Sequence, residues 1–469
     1  MGVGAKGGNN GSHDHDMQLA RRIVAQPILR NNGFIFMATL VVALAGYLLN
    51  TTAARRFAPG QYSQFGIMIN LLGTIAPLSS AIIGAVLRRA SLNRVREAHE
   101  ETDAVQRALI RHLALGFLIG LWCIGLLHER IGHFLRLTAT TPLYFVVIAG
   151  FWVTMQGVLQ ATMQEQGRYG KLSFIFFLEG VFRGIVGVTV IAIGLGVTIT
   201  LGAYTLSAFF AALLMPWPRA LWRGMRAKSA IMRPLYRDVG ELLLANLCFA
   251  VLINLDVILC RRYLAPVTAD RYVAIAALGK FFVFATNSVS AVAFAEVVKT
   301  VHRGESSKRP LAISLGLIVV LGIPFVLFCR IVGPLVMVLA FGGAFRVSGH
   351  ALWITALSAF AMATINLEVA YFNARRWLWY LPVFLLGCAA TITALSRAHD
   401  SLRQYAGIYA TGTTALALIL LGLLIAILGR GGVRPAHATD GAVNEDHLSH
   451  SDTGSAGVLD GRNRGGHES

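Results

Sequence analysis

Asp256-Val-Ile-Leu-Cys-Arg-Arg-Tyr-Leu-Ala-Pro266 is the stretch of this sequence that decides the fold, because a similar stretch occurs in the first half of the chain. The earlier copy is Asn50-Thr-Thr-Ala-Ala-Arg-Arg-Phe-Ala-Pro59, which shares the Arg-Arg-aromatic step and the proline that follows it. Each copy is followed by a tyrosine, Tyr62 or Tyr272. Internal repeats reveal architecture because each copy forms a similar structural unit. The sequence therefore predicts two similar halves.

The two copies differ in charge at matched positions. With one extra residue before the proline and a few more before the tyrosine, Lys280 aligns with Asn70. Upstream of the Arg-Arg step, Asp256 aligns with Asn50. The second half thus carries opposite charges where the first half carries neutral amides. We expect the second half to supply the chemistry and the first half mainly to shape the site.

The composition is that of a membrane protein. The chain is 55% hydrophobic and 14% charged with a mean hydropathy of +0.63, whereas soluble chains carry about 25% charged residues. Its net charge of +18 lies in short runs between apolar segments, which is typical of loops facing anionic lipid and not of a nucleic-acid-binding surface. The five cysteines lie in or beside apolar segments, so we expect small core residues and neither a metal site nor a disulfide framework.

Twelve segments are apolar over the roughly 20 residues that a bilayer-spanning helix needs. They are residues 34–54, 62–87, 108–127, 143–163, 172–194, 198–218, 239–260, 271–298, 311–340, 349–373, 377–396 and 403–428. In the ninth segment, Pro324 and Gly333-Pro334 predict a kink or a break, and Val338–Phe345 predicts a short half-helix. The fold class expected is an all-α polytopic membrane protein with about 12 (12–14) transmembrane helices.

Loop charges predict the orientation. With a cytoplasmic N-terminus, about 25 arginines and lysines fall in inner loops and about 10 in outer loops, a bias that favours cytoplasmic termini in the cytoplasmic (inner) membrane. The two Arg-Arg steps are the main exceptions, and we expect them to be matched outer elements that bind lipid headgroups. Residues 1–33 and 429–469 are polar tails, expected to be disordered. His13-Asp14-His15-Asp16 is expected to be solvated rather than metal-bound.

Each half contains six spans, an even number, so both halves have the same orientation in the membrane. They should form two six-helix bundles, related by a pseudo-two-fold axis along the membrane normal, around a central cavity. The boundaries expected are 34–218 for the first bundle, 219–238 for a basic cytoplasmic linker and 239–428 for the second bundle. This is the architecture of a transporter.

A resemblance to one family is carried by the segments Leu48–Gly66, Leu255–Ile258 with Tyr272, Leu278–Lys280, and Ala370–Arg376. They resemble polysaccharide-biosynthesis membrane proteins, the lipid-linked oligosaccharide flippases of the multidrug/oligosaccharidyl-lipid/polysaccharide exporter superfamily. The resemblance covers about residues 30–430 and departs at Phe294-Ala-Glu296, where the family often has a Phe-Pro step. It implies a flippase that moves a polyprenyl-diphosphate-linked oligosaccharide by alternating access, for lipopolysaccharide, O-antigen or exopolysaccharide assembly.

Two charged residues of the second half are the leading site candidates. A charge at bilayer depth costs at least about 2.5 kcal/mol, so it normally faces a cavity or a partner. Lys280 lies roughly 15 Å inside its span and would offer a cation to a lipid diphosphate; the alternative is a lysine paired only for packing. Asp256 can pair with Lys280 or with an arginine of the following turn, and protonation or Na⁺ can switch that pair; the alternative is a capping carboxylate.

The remaining candidates are less specific. Glu179 and Arg183 are four residues apart on one helical face, so they can neutralise each other without any function; a substrate that competes for Arg183 would make them a gate. Glu368, beside Asn366, is a further buried-charge candidate. Arg330 is a similar case, and Glu296 lies near the end of its span.

Catalytic and cofactor-binding motifs are not found in the sequence, and loops between spans are too short for a soluble catalytic domain. We expect no enzyme activity, no cofactor, no bound metal and no nucleic acid. Without a phosphate-loop sequence, energy would come from a Na⁺ or H⁺ gradient or the membrane potential. The partners expected are membrane lipid, a lipid-linked glycan and glycan-assembly enzymes.

Three alternatives remain open. A drug/cation antiporter of the same superfamily would show more carboxylates and fewer cations in its cavity. A membrane-embedded polysaccharide polymerase or glycosyltransferase would need a large outer loop with catalytic residues. A membrane scaffold without transport activity would have little use for buried charges.

Overall fold

The computed structural model describes residues 27–93, 99–217, 229–302, 305–375, 377–397 and 401–429. These residues form thirteen α-helices, two 3-10 turns and no strand. The first six helices are α1 (Pro27–Arg56), α2 (Gln61–Asn93), α3 (His99–Phe134), α4 (Thr141–Glu165), α5 (Tyr169–Ile193) and α6 (Gly196–Leu214).

The second half begins at α7. Its helices are α7 (Ser229–Tyr263), α8 (Pro266–His302), α9 (Lys308–Ile331), α10 (Gly333–Phe341), α11 (Gly349–Ala374), α12 (Leu381–Arg397) and α13 (Leu402–Gly429), with 3-10 turns at Gly343–Phe345 and Leu378–Tyr380. The chain divides into a unit Met1–Leu421 and a unit Gly422–Ser469, of which residues 422–429 are described. The packing and the site described below belong to the first unit.

Among the described residues, eleven helices are long and apolar enough to cross a membrane. They coincide with the second to the twelfth predicted spans, and the first predicted span, 34–54, lies within α1. The predicted break at Gly333-Pro334 is confirmed, since α9 ends at Ile331 and the short helix α10 begins at Gly333. Pro324 does not break α9, which continues past it.

The predicted tails and linker differ from the structure at their edges. Residues 1–26 and 430–469 lie outside the described residues, and the helical residues 27–33 show that α1 begins inside the predicted tail. Residues 218–228 of the linker region also lie outside, but α7 already begins at Ser229. The reason is a buried apolar stripe: Met232, Leu235 and Val239 pack into the core of the first half, and the intervening basic residues hide that periodicity in the sequence.

The two halves pack their helices in the same pattern. In the first half α1 packs on α5, α2 on α4 and α3 on α4; in the second half α7 packs on α12, α8 on α11 and α9 on α11. If α10 is set aside as an extra short helix, α1 to α6 correspond in order to α7, α8, α9, α11, α12 and α13. Each contact in the first half then has its counterpart in the second half. The prediction of two pseudo-symmetric bundles is therefore confirmed.

Two hydrogen bonds between the halves join residues that the repeat alignment pairs. Gly60 N–H donates to Asp270 Oδ2 over 2.6 Å, and Lys280 Nζ donates to Asn70 Oδ1; the partners are 210 residues apart in both pairs. Residues related by a two-fold axis touch each other only near that axis. With this alignment, α2 and α8 therefore lie beside the pseudo-two-fold axis.

A stripe of small residues sets the distance between α1 and α5. A Cβ added at Gly180 would lie 3.0 Å from the backbone nitrogen of Val42, and one added at Gly187 would lie 2.3 Å from Leu49 Cδ1. Gly184 faces the same helix. Small residues at helical spacing are the usual means by which membrane helices approach closely, because packing and not hydrophobic burial drives their association in lipid.

We predict that Gly180→Leu destabilises the first half. Its side chain would collide with backbone atoms of α1 that cannot rotate away, and overpacking of this kind costs about 1–3 kcal/mol. The measurement is the apparent melting temperature of the purified protein in detergent. Gly170→Leu is the matched control on the same helix, because nothing lies within 4 Å of its Cβ position; equal losses in the two variants would contradict this account.

Candidate functional site

A cavity of about 300 Å³ lies where the two halves meet. Helices α1, α2, α4 and α6 of the first half and α7 and α8 of the second contribute to its wall. The polar lining residues are Asn50, Asn70, Tyr204, Asn254 and Lys280. Among the described lining residues, Lys280 is the one that carries a formal charge. The predicted central cavity is thus present, and Asn50, Asn70 and Lys280 line it.

Lys280 links the two halves at this cavity. Its ammonium donates to Asn70 Oδ1 across the axis and to Asn254 Oδ1 over 3.4 Å. On its other side it lies 3.6 Å from Asp256 Oδ1, and 13% of its side chain is exposed. Asn50, the counterpart of Asp256, donates instead to the carbonyl of Gly46 in its own helix. The charged residue among the described residues of the cavity wall thus belongs to the second half.

Asp256 lies behind the residues that line the cavity, and two tyrosine hydroxyls donate hydrogen bonds to it. The carboxylate is 2% exposed, and the Tyr272 hydroxyl donates to its Oδ2 over 2.9 Å. The Tyr405 hydroxyl donates to the Asp256 backbone carbonyl over 2.6 Å. No hydrogen-bond partner for Oδ1 occurs in the part of the chain that is described, so Lys280 is its electrostatic partner. Of the two predicted partners, the structure selects the lysine and not an arginine of the turn.

A second, smaller crevice lies on the far side of the ion pair. Its volume is about 20 Å³, and its polar lining is Asp256, Lys280, Thr355, Ser358 and Tyr409. Such a volume is enough for about one water molecule or a small ion. The Lys280–Asp256 pair thus separates the wide cavity between the halves from a narrow polar crevice inside the second half.

The Glu179–Arg183 pair lies in the first half and contacts an aromatic ring that lines the cavity. Arg183 donates to Glu179 Oε1 and to Ser207 Oγ, and both charged side chains are at least nine-tenths buried. The Arg183 guanidinium lies 4.1 Å from the centre of the Tyr204 ring, which lines the cavity. The predicted pair exists, with Arg183 supporting the wall rather than forming it.

Glu368 is apart from these groups. It is 1% exposed, and neither of its carboxylate oxygens has a hydrogen-bond partner among the described residues. Its neighbour in sequence, Asn366, bonds Asn287 of α8 over 3.1 Å. Arg330 and Glu296 are exposed. The structure therefore does not bring Glu368, Arg330 or Glu296 to the cavity.

The two Arg-Arg steps differ in exposure. Arg261 is 5% exposed, and its Nη1 donates to the Gly60 carbonyl over 2.6 Å, so the expectation that it binds lipid headgroups is wrong. Arg55 donates to the carbonyls of Leu339 and Ala340, but Arg55 and Arg56 are both exposed, and headgroup binding stays a prediction for that step. Arg262 stacks over the ring of Phe134 in the first half.

Several important side chains were not anticipated from the sequence. Tyr204 is one tyrosine within an apolar helix and carries no motif. The roles of Tyr405 and Tyr409, which donate to backbone carbonyls of α7, depend on a contact between distant helices. Asn254 lies two residues before Asp256 in α7, but residues at that helical spacing do not face each other, so its place in the cavity wall did not follow from the sequence. Groups of three or more possible metal ligands do not occur in the described ranges.

Several solved structures that share this fold are transporters or flippases. An inward-facing multidrug resistance MATE family transporter of the MOP superfamily matches 84% of this chain and 96% of its own at a TM-score of 0.61 and 12% identity. The lipid II flippase MurJ, inward closed, matches 83% and 87% at 0.64 and 10%. A MOP superfamily transporter from Pyrococcus furiosus matches 86% and 96% at 0.55 and 14%. No sequence-family model and no curated protein sequence matches the chain.

The chain thus has the fold of the MOP superfamily, the multidrug/oligosaccharidyl-lipid/polysaccharide exporters, which is the fold that the sequence resemblance implies. Within that fold it is similar both to a multidrug resistance transporter and to the lipid II flippase MurJ. At these identities the likeness concerns the fold, so the cargo has to be argued from the cavity.

We predict that the Lys280–Asp256 pair behaves as a coupled unit in stability measurements. Lys280→Met leaves a buried carboxylate without its cation, a change that costs about 3–5 kcal/mol in comparable pairs. The double variant Lys280→Met/Asp256→Asn should recover most of the loss, because both charges are then absent. Melting temperatures of the two single variants and the double variant form the cycle; additive losses would show that the pair is not coupled.

We predict the opposite response at Glu368. A buried carboxylate without partners is costly in its charged form, and Glu368→Gln keeps its shape without the charge. The variant should be as stable as the parent or more stable, whereas Asp256→Asn should lower the melting temperature by stranding Lys280. A large loss in Glu368→Gln would reveal an ionic role for this carboxylate.

Proposed function

We propose that the protein is a flippase that moves a polyprenyl-diphosphate-linked oligosaccharide across the cytoplasmic membrane, from the inner to the outer leaflet, by alternating access. The observation that carries this proposal is the charge of the cavity between the halves, whose charged lining residue is Lys280. The MOP fold supports transport in general, and the cavity charge supports an anionic cargo.

The polar lining suits a diphosphate. The Lys280 ammonium supplies a positive charge at the cavity. The side-chain amides of Asn50, Asn70 and Asn254 each donate one N–H to a carbonyl of their own helix, which leaves each a second N–H for a ligand. Charge-assisted hydrogen bonds of this kind are about twice as strong as neutral ones. At about 300 Å³, the cavity lies at the lower end of the range for small-molecule sites. Its volume therefore suits the diphosphate group better than a whole oligosaccharide, which would require a conformation with a wider cavity.

The ion pair behind the cavity supplies a means of coupling. When the Lys280 ammonium turns toward a diphosphate, Asp256 loses its electrostatic partner inside a low-dielectric bundle. A proton or a Na⁺ ion in the crevice beside Thr355 and Ser358 would then neutralise the carboxylate. Binding of the anion and binding of the cation are thereby linked, and linkage of this kind is reciprocal.

The drug/cation antiporter remains the second candidate, since drug transporters share the fold. Such a protein would need carboxylates that face the cavity to hold cationic cargo. Here the nearest carboxylate, Asp256, stands behind Lys280 and is already engaged by it. The cavity therefore favours an anion. Lipopolysaccharide, O-antigen and exopolysaccharide assembly are the processes that such a diphosphate-linked cargo would serve, and an inner-membrane location beside glycan-assembly enzymes belongs to the same proposal.

We predict that Lys280→Ala slows flipping at least about tenfold, because it removes the cation that binds the diphosphate, an effect of about 1.4 kcal/mol or more. The assay uses proteoliposomes that contain an NBD-labelled polyprenyl-diphosphate disaccharide, and dithionite quenching reports the label in the outer leaflet. Lys280→Arg should keep a larger part of the rate. Asn70→Ala should be milder, since it removes one neutral partner.

Ethidium transport in the same liposomes separates the two candidates. The flippase proposal requires transport of the diphosphate probe and little effect of the protein on ethidium. The drug antiporter would be the correct assignment if the folded protein transports ethidium in an Asp256-dependent manner and does not flip the diphosphate probe. A wild-type flipping rate in Lys280→Ala would show that transport does not need the positive charge of Lys280.

A further inference from the structure

The two halves are tied together at one end, where the turns between α1 and α2 and between α7 and α8 lie. We call this the Arg-turn end and define it by residues 55–63, 261–271 and 339–345. The loop-charge bias predicts that it faces outward. Three polar contacts and an aromatic cluster cross between the halves here.

The first contact is a carboxylate at a helix N-terminus. Asp270 of α8 accepts from the Gly60 N–H through Oδ2 and from the Ser63 N–H through Oδ1, both over 2.6 Å. These N–H groups begin α2 and have no partner within their own helix. The second half thus supplies the capping side chain for a helix of the first half. Asp270 is 6% exposed, so this cap is sheltered from water.

The second and third contacts are a matched pair of arginines. Arg261 of the second half donates to the Gly60 carbonyl of the first. Arg55, its counterpart in the repeat, donates to the carbonyls of Leu339 and Ala340 at the end of α10 in the second half. Each copy of the Arg-Arg step therefore holds the backbone of the opposite half. Backbone carbonyls at chain turns are easily rehydrated, which makes such contacts reversible.

Gly60 is the point where two of these contacts meet. Its φ of +85° is in the left-handed region, which glycine adopts without strain. A Cβ at this position would also lie 3.1 Å from Pro266 Cβ of the other half. Both its N–H and its carbonyl are engaged by the second half, so the turn before α2 is held from both sides.

An aromatic cluster seals the space beneath these contacts. The Tyr62 ring lies 5.6 Å from that of Phe345 and 6.4 Å from that of Phe341. Tyr47 of α1 lies 6.4 Å from the same Phe341. Tyr62 is 1% exposed. Two aromatic residues from each half thus close the Arg-turn end against water.

We propose that the Arg55, Arg261 and Asp270 contacts form a releasable latch that keeps the Arg-turn end of the cavity closed, and that they separate when the protein opens outward. The latch is independent of the cargo, because all its partners are side chains and backbone of the chain itself. Its opening exchanges protein hydrogen bonds for hydrogen bonds to water, so the net free-energy cost of separating the contacts is small.

Cysteine labelling tests the latch without any substrate. The reporter is Ala277→Cys on the cavity wall, in a chain with Cys123→Ser and the four buried cysteines kept. A membrane-impermeant maleimide is added to right-side-out vesicles and to inverted vesicles. Arg261→Ala and Asp270→Ala should each raise the rate of outside labelling about tenfold relative to the parent, and Arg55→Ala should raise it as well.

The neighbouring arginine Arg56 is a matched control with the same charge. Arg56→Ala should label at the parent rate, because the exposed Arg56 side chain makes no polar contact with the other half among the described residues. Equal rates in Arg55→Ala and Arg56→Ala would overturn the latch, as would faster labelling from the inverted side alone. If an alanine variant does not elute as a single species, Asp270→Asn and Arg261→Lys replace it, and both should show a smaller increase in the same direction. Parent rates in folded Asp270→Asn and Arg261→Lys would equally overturn the latch.

Discussion

A lysine held inside the bilayer-spanning part of this protein requires partners, and the arrangement of the site follows from that requirement. Lys280 has one full counter-charge, Asp256, and two amide oxygens, of Asn70 and Asn254. Asp256 is in turn held by Tyr272. Because a buried charge without compensation costs several kcal/mol, these side chains and the helices that carry them form one unit. Its exposed side is the cavity wall.

Much of the architecture was readable from the sequence. Apolar length alone located the spans, since a helix in lipid must satisfy its own backbone and cannot be much shorter than the bilayer. The break at Gly333-Pro334 was local and therefore visible, whereas Pro324 was tolerated inside α9, as neighbouring helices allow in membrane proteins. The early start of α7 was missed, because basic residues alternate with the buried stripe of Met232 and Leu235.

The site was only partly accessible to sequence reasoning. Lys280 and Asp256 stood out because charges are rare within apolar spans. The use of Arg55 and Arg261 could not be inferred, since both bind backbone carbonyls, and carbonyls carry no sequence signal. Arg183 was identified with Glu179, but its support of Tyr204 depends on how α5 packs on α6. Interactions between distant helices are thus the part that the residues alone do not reveal.

The contacts on the pseudo-two-fold axis have a consequence for the sequences of the two halves. In a dimer of two identical six-helix units, a residue on the axis meets its own copy. A lysine at the position of Lys280 would then face another lysine, and an aspartate at the position of Asp270 would face another aspartate, which like-charge repulsion opposes. The observed partners, Asn70 and Gly60, are possible only in halves with different sequences. The difference in sequence between the two halves is what allows an ammonium and a carboxylate to lie on the symmetry axis.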